Sequence, residues 1–369
     1  MNSCIQNKDS FQSLQSDLHT KSCKITFLGN SVTAQKNGYA YQLAAQINYH
    51  FSPNHQFIYA GLGGIGSLAS CFLMDDFVLR HNPDICFVEC TVADIGYATP
   101  SQYLEPAIEG IIQKLISSSI KICFLHLYNT HTSHNRAEEI ISIYEQVLYA
   151  YGIPSINIRK EIISSIIEKL FESTDILYDG VHTTDQGAKI YAALINNALT
   201  SKLKYVTEEK SQLITKSDHT FRYTQIVLPE SLIHETSKHL TKSRFRGLIK
   251  CIHTDNKYSF ETRLDDGMIV GFFIIADENS GVLNVTYEEV SLNIQTYDQW
   301  CNKERIQAVF LEIPVCKSQK LSISLSSSDV ALRGANGTPN NFKKIGSSFK
   351  LMGLMVAFPH EPRFKVRLW

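Results

Sequence analysis

No apolar run in the 369 residues approaches bilayer-spanning length, for which about 20 consecutive residues are needed, so a transmembrane helix is not expected. The first residues, MNSCIQNKDSFQSLQSDLHTKSCK, lack a charged segment leading into an apolar one and lack a cleavage-site pattern, so no secretion signal is expected either. Charge of one sign is also missing. Lys and Arg number 35 against 36 for Asp and Glu, a net charge of −1, and without a global field neither nucleic acid nor an anionic membrane is an expected partner. Repeats, heptads and low-complexity tracts are absent. A composition of 44% hydrophobic and 19% charged residues excludes extensive disorder.

The nine cysteines are odd in number, and several lie inside apolar strand-like runs where a thiol behaves as a small buried hydrophobe. Reduced cysteines suit a cytoplasmic location, which is the expectation. The oligomeric state is not legible.

This length predicts two domains, with one large elaborated domain as the alternative. From residue 24 to about 200, the apolar runs KITFLG, HQFIYAG, DICFVEC, IKICFLHLY and GIPSIN alternate with amphipathic stretches. That alternation reads as βαβ units around a parallel sheet covered on both faces, with ligands expected at the carboxyl ends of the strands. Residues 1–23 read as a polar N-terminal extension and residues 24–203 as the α/β domain, with a boundary near 203–215. Residues 215–369 read as a β-rich domain, a sandwich or jelly roll. There, GMIVGFFIIADENSGVLNVTYEEV suggests two strands around Asn279-Ser280-Gly281, and LSISLSS alternates Leu321, Ile323 and Leu325 with serines. Trp300 and Trp369 are candidates for stacking on sugars or for the core.

Gly29-Asn30-Ser31 follows the first run, so Ser31 sits where a buried strand passes into a helix. There its hydroxyl lies beside free backbone N–H groups able to stabilise an oxyanion. Helix capping by Asn30 or Ser31 explains the same residues equally well. Asp179-Gly180-Val181-His182 places a carboxylate and an imidazole three residues apart, ahead of a helix with a Thr183/Gln186 capping box and a stripe of Ala188, Tyr191, Ala192, Ile195 and Leu199. A histidine that activates a hydroxyl needs a carboxylate on its other nitrogen; a solvated turn is the alternative.

Together the two blocks resemble the first and last motifs of the SGNH (GDSL-like) hydrolases, over roughly residues 24–200. The resemblance implies a flavodoxin-like three-layer α/β/α fold, with Ser31 as nucleophile and Asp179 and His182 as its activating pair. The family's usual Asp before the serine is Asn30 here. Gly61-Leu62-Gly63-Gly64-Ile65-Gly66 fits a dinucleotide-binding turn, with Asp84 or Glu89 as an ambiguous ribose partner. Against the family it resembles the second block, which makes Gly64 an oxyanion donor beside the Ser31 N–H. The third block expects an Asn, but Cys90-Thr91-Val92-Ala93-Asp94 has Ala93 there, a side chain without a donor; Asn30 or Thr91 is a candidate replacement.

Asn30, Asp94, Asn129 and His131 are expected to contact substrate. His126, His131 and His134, with Tyr128, Asn129 and Asn135, read as one polar loop without metal-site spacing, so no metal is expected. The G-x-S-x-G elbow of α/β-hydrolases is absent. The expected activity is serine-dependent esterase chemistry on O-acyl, above all O-acetyl, groups of a carbohydrate or another small ester. Such chemistry needs no cofactor. The alternatives are a polysaccharide O-acetyltransferase, which would take acetyl-CoA or another acyl donor, and a degenerate glycan-binding protein.

Overall fold

The structure is a computed structural model that describes residues 5, 6, 8–51, 54–96, 98–201, 221–227, 240–242, 250–254, 258–261, 267–277, 280–287, 289–296, 304–315, 320–325 and 349–361. The chain divides into two compact units, Met1–Arg222 and Tyr223–Trp369. The boundary region expected at 203–215, like Asn279, Trp300 and Trp369, lies outside the described residues.

The first unit begins with β1 (Ile5–Gln6), α1 (Lys8–Thr20), β2 (Lys24–Gly29), α2 (Ser31–Ala34), α3 (Tyr39–His50) and β3 (Gln56–Gly61). It continues with α4 (Ser67–Phe77), β4 (Ile85–Glu89), α5 (Thr91–Ile95), α6 (Ser101–Ser117), β5 (Lys121–His126) and α7 (His134–Tyr151). The last elements are β6 (Ser155–Asn157), α8 (Ile158–Ile167), α9 (Ser173–Ile176) and α10 (Asp185–Thr200). One sheet runs β1-β6-β5-β4-β2-β3, parallel throughout except for β1, which pairs antiparallel with β6. Its parallel strands β2, β4, β5 and β6 are buried on both faces because α1, α3, α8 and α10 cover one side and α4, α6 and α7 the other, while the edge strand β3 is only partly covered. Phe27 and Phe87 on adjacent strands stack at 5.5 Å, and burying each such side chain contributes about 2–3 kcal/mol.

Numbered along the chain, the five parallel strands take the order 2-1-3-4-5, the flavodoxin-like winding. That winding reverses between β2 and β4, and the crevice beyond their carboxyl ends is where such sheets receive ligands.

Residues 1–23 are not an appended extension. Phe11, Leu14 and Leu18 of α1 are fully buried in the α/β core, so this helix is part of the domain.

The second unit contains β7 (Tyr223–Val227), β8 (Leu240–Lys242), β9 (Lys250–Thr254), β10 (Tyr258–Glu261) and β11 (Met268–Ala276). There follow β12 (Val282–Tyr287), β13 (Val290–Gln295), β14 (Arg305–Val315), β15 (Lys320–Leu325) and β16 (Phe349–Phe358). Two antiparallel sheets form, one of order β10-β15-β12-β13 and one of order β14-β11-β16-β9-β8, with β7 also on β16. Phe272 and Leu354 from one sheet share a core with Val285, Leu321 and Ile323 from the other, which makes this unit a β-sandwich. Strands β11 and β12, joined through the turn at Ser280, lie in different sheets. That turn is therefore a corner of the sandwich and not a hairpin.

Candidate active site

At the end of β2 only a glycine fits, because a β-carbon on Gly29 would collide with the Glu89 carbonyl and the Thr33 side chain. Asn30 then adopts an extended conformation and its Oδ1 accepts the Val32 N–H at 2.9 Å. This cap starts α2 at Ser31 and leaves the serine partly exposed. Position and topology coincide here, since β2 borders the reversal point of the sheet.

The second half of the site is a closed turn. Leu177 and Thr183 pair across it, the Tyr178 N–H donates to the His182 carbonyl at 3.1 Å, and Gly180 takes φ +84. Only glycine holds that left-handed conformation without strain. Thr130, on the loop after β5, donates its N–H to the Gly180 carbonyl at 2.8 Å and buttresses the turn. Inside it, Asp179 Oδ1 accepts the backbone N–H groups of Val181 at 3.0 Å and His182 at 2.7 Å, and Oδ2 lies 2.6 Å from His182 Nδ1. Burial works against the charge on Asp179, but these N–H groups and the imidazole outweigh it and hold the carboxyl below its ordinary value.

His182 Nε2 lies 2.9 Å from Ser31 Oγ, across 151 positions of sequence. With a carboxylate at Nδ1, the neutral ring carries its proton on that side and presents the Nε2 lone pair to the serine hydroxyl. Serine, imidazole and carboxylate thus form one hydrogen-bonded line. Chemically, such a line can transfer a proton off a hydroxyl and leave it nucleophilic.

One contributor has no counterpart in the motif reading. Gln35, four residues beyond the serine, donates from Nε2 to the Thr183 carbonyl at 2.7 Å, while its Oε1 accepts the Thr183 N–H at 3.2 Å and hydroxyl at 3.1 Å. This engagement corrects the expected capping box. Thr183 is taken by Gln35, so Thr184 caps α10 by accepting the Gly187 N–H at 2.9 Å, and the helix begins one residue later than expected. Its expected stripe from Ala188 to Leu199 is buried.

No family profile matches the sequence, and no curated protein matches it. Solved structures do match. A two-domain esterase active on acetylated mannans aligns over 97% of this chain and 99% of its own, with a TM-score of 0.68 and 13% identity. The two-domain esterase active on acetylated mannans that was crystallised with mannopentaose aligns over 97% and 96%, with a TM-score of 0.66 and 13% identity.

The chain shares the fold of that two-domain esterase.

Within this fold the glycine-rich turn is explained by packing. Gly61 lies against the Ala34 backbone, Gly63 faces Ser31, Gly64 has φ +77, and a β-carbon on Gly66 would overlap Asp94 Oδ1. The dinucleotide alternative loses both ribose partners: Asp84 accepts the Lys24 N–H at the amino-terminal end of the sheet, and Glu89 is buried against Val92.

Three expected substrate contacts are corrected. Asp94 is fully buried, accepting the Ser67 N–H at 3.1 Å and the Tyr144 hydroxyl at 2.5 Å, so it braces the loops behind the site. Burial raises its pKa against those hydrogen bonds and that of Thr99. Asn30 is 2% exposed and serves as a cap; Asn129 is 3% exposed, and its carbonyl accepts from Arg159 at 3.1 Å. His131 remains on the surface, its backbone beside Gly180. The supposed histidine loop separates. His126 ends β5, buried between Thr91 Oγ1 at 2.9 Å and Glu145 Oε1 at 2.6 Å, and His134 opens α7. Thr91 is therefore engaged and fully buried, which removes it as a substitute donor. Ala93 is partly exposed. Among the described residues no His, Cys, Asp or Glu cluster suits a metal ion, and no helix is long and apolar enough to cross a membrane.

Proposed function

We propose that this protein is a serine esterase that removes O-acetyl groups from a carbohydrate. The observation carrying the reading is the continuous hydrogen-bonded line from Asp179 through His182 to Ser31 Oγ. Acetylated mannan is the substrate of the two-domain structural relative, which supports acetylated glycan as the substrate class.

In the first half-reaction His182 Nε2 takes the hydroxyl proton as Ser31 Oγ bonds to the acetyl carbonyl carbon. Negative charge moves onto the carbonyl oxygen, where the N–H groups of Ser31 and Gly64 are the proposed donors. Imidazolium, held by Asp179, returns its proton to the sugar oxygen as that C–O bond breaks, leaving acetyl-Ser31. Water, deprotonated by His182, then releases acetate and restores the serine.

The partly exposed Ala93, standing where a side-chain donor is expected, favours a second reading. An oxyanion site short of one donor is slow towards water, which suits an O-acetyltransferase that passes acetyl from an activated donor to a glycan hydroxyl, or a degenerate glycan binder. The test is labelling with a fluorophosphonate probe together with hydrolysis of p-nitrophenyl acetate. Both should occur in the wild type and vanish in Ser31→Ala; neither occurring would overturn the esterase reading in favour of a binder. Acetyl transfer to an added oligosaccharide outcompeting hydrolysis would favour the transferase.

A further inference from the structure

Tyr178 combines two properties that rarely coincide. It belongs to the tightly closed turn of the candidate site, directly before Asp179 and with its N–H on the His182 carbonyl, yet its side chain is 65% exposed. The phenol ring lies almost parallel to the His182 imidazole, with centroids 5.8 Å apart and planes inclined by 17°. The Nε2 edge of that imidazole lies 2.9 Å from Ser31 Oγ. A flat, exposed aromatic surface thus stacks on the same imidazole that reaches the hydroxyl.

We infer that Tyr178 is a stacking platform for a pyranose ring of the acetylated glycan; this rests on the carbohydrate reading given above. A pyranose has an apolar face of polarised C–H groups rimmed by hydroxyls. The negative face of an aromatic ring attracts those C–H groups, and the phenol hydroxyl at its edge exchanges hydrogen bonds with the rim. The stack on His182 orients the ring beforehand, which lowers the side-chain freedom lost on binding. Tyr178 therefore selects esters whose alcohol is a sugar over esters of small acyclic alcohols.

The experiment compares kcat/KM on an acetylated manno-oligosaccharide with kcat/KM on glycerol triacetate, an acetyl ester without a ring. In Tyr178→Ala the ratio of the two should fall roughly three- to tenfold, the worth of one aromatic contact, and Tyr178→Trp should restore it. An unchanged ratio, or equal losses on both esters, overturns the inference, as does a changed oligomeric state of Tyr178→Ala, which would assign the ring to a subunit contact. Wild-type protein that hydrolyses the triacetate but not the oligosaccharide also overturns it, while leaving ester chemistry standing. Wild-type protein inert towards both esters defeats the esterase reading itself, and the inference falls with it.

Discussion

Gln35 grips Thr183 through both ends of its amide, receiving from the threonine N–H and hydroxyl and donating to its carbonyl. Because Gln35 follows Ser31 by four residues and Thr183 follows His182 directly, this clasp fixes the spacing between the serine hydroxyl and the imidazole. Gln35→Ala removes it without touching either group. The expected outcome is a kcat lower by roughly ten- to a hundredfold, as for a small misplacement of reacting atoms, with KM and melting temperature little changed. A matching fall in stability, with kcat preserved per folded molecule, would mean that the clasp only holds the fold.

Asp179 sets the tautomer of His182. In Asp179→Asn the new amide N–H faces Nδ1, driving the ring proton to Nε2, where it can no longer accept from Ser31. On the proposed esterase reading, turnover should fall by roughly 10² to 10⁴, the loss found when a Ser-His-Asp triad loses its carboxylate, and the rate of fluorophosphonate labelling should fall with it. Labelling at the wild-type rate would show that the carboxylate is dispensable.

Ala93→Asn supplies a side-chain donor at a partly exposed position of α5. One such donor is worth about 10² to 10³ in turnover, so hydrolysis of p-nitrophenyl acetate should rise towards that limit. A flat response would mean that another group already serves the oxyanion.

Glu89 is a fully buried carboxyl at the end of β4, and burial, with Asp94 nearby, pushes its pKa up to about 8 from an ordinary 4.5, although the Val92 N–H and Asn30 pull the other way. A raised carboxyl pKa means that the folded protein holds a proton the unfolded chain releases. Stability from this group is complete below 4.5 and is lost as pH rises to about 8. Melting temperature measured across that window should decline less in Glu89→Gln than in wild type; equal slopes would show that Glu89 titrates normally.

Some of this was visible in the linear chain. The runs KITFLG, DICFVEC and IKICFLHLY become β2, β4 and β5 because uniform apolarity suits only strands covered on both faces. Helix α1 is hard to read in the sequence: its stripe of Phe11, Leu14 and Leu18 is correctly spaced, but three apolar residues within a polar segment register as surface until a core is present to receive them. The adjacent Thr183 and Thr184 are equivalent as caps locally, and a glutamine nearly 150 positions away decides between them. Asp94 and Asn129 look like surface residues by type, and only packing shows them buried.

Local chemistry determined which segments form strands and helices, that Gly29-Asn30-Ser31 starts a helix, and that Asp179 and His182 share a turn, because each depends on residues within a few positions of one another. Tertiary structure alone decided the winding that puts Ser31 at the reversal of the sheet, the meeting of Ser31 with His182, the clasp of Gln35 on Thr183 and the exposure of Tyr178. Those contacts join groups far apart along the chain, and their geometry exists only once the sheet and its helices have packed.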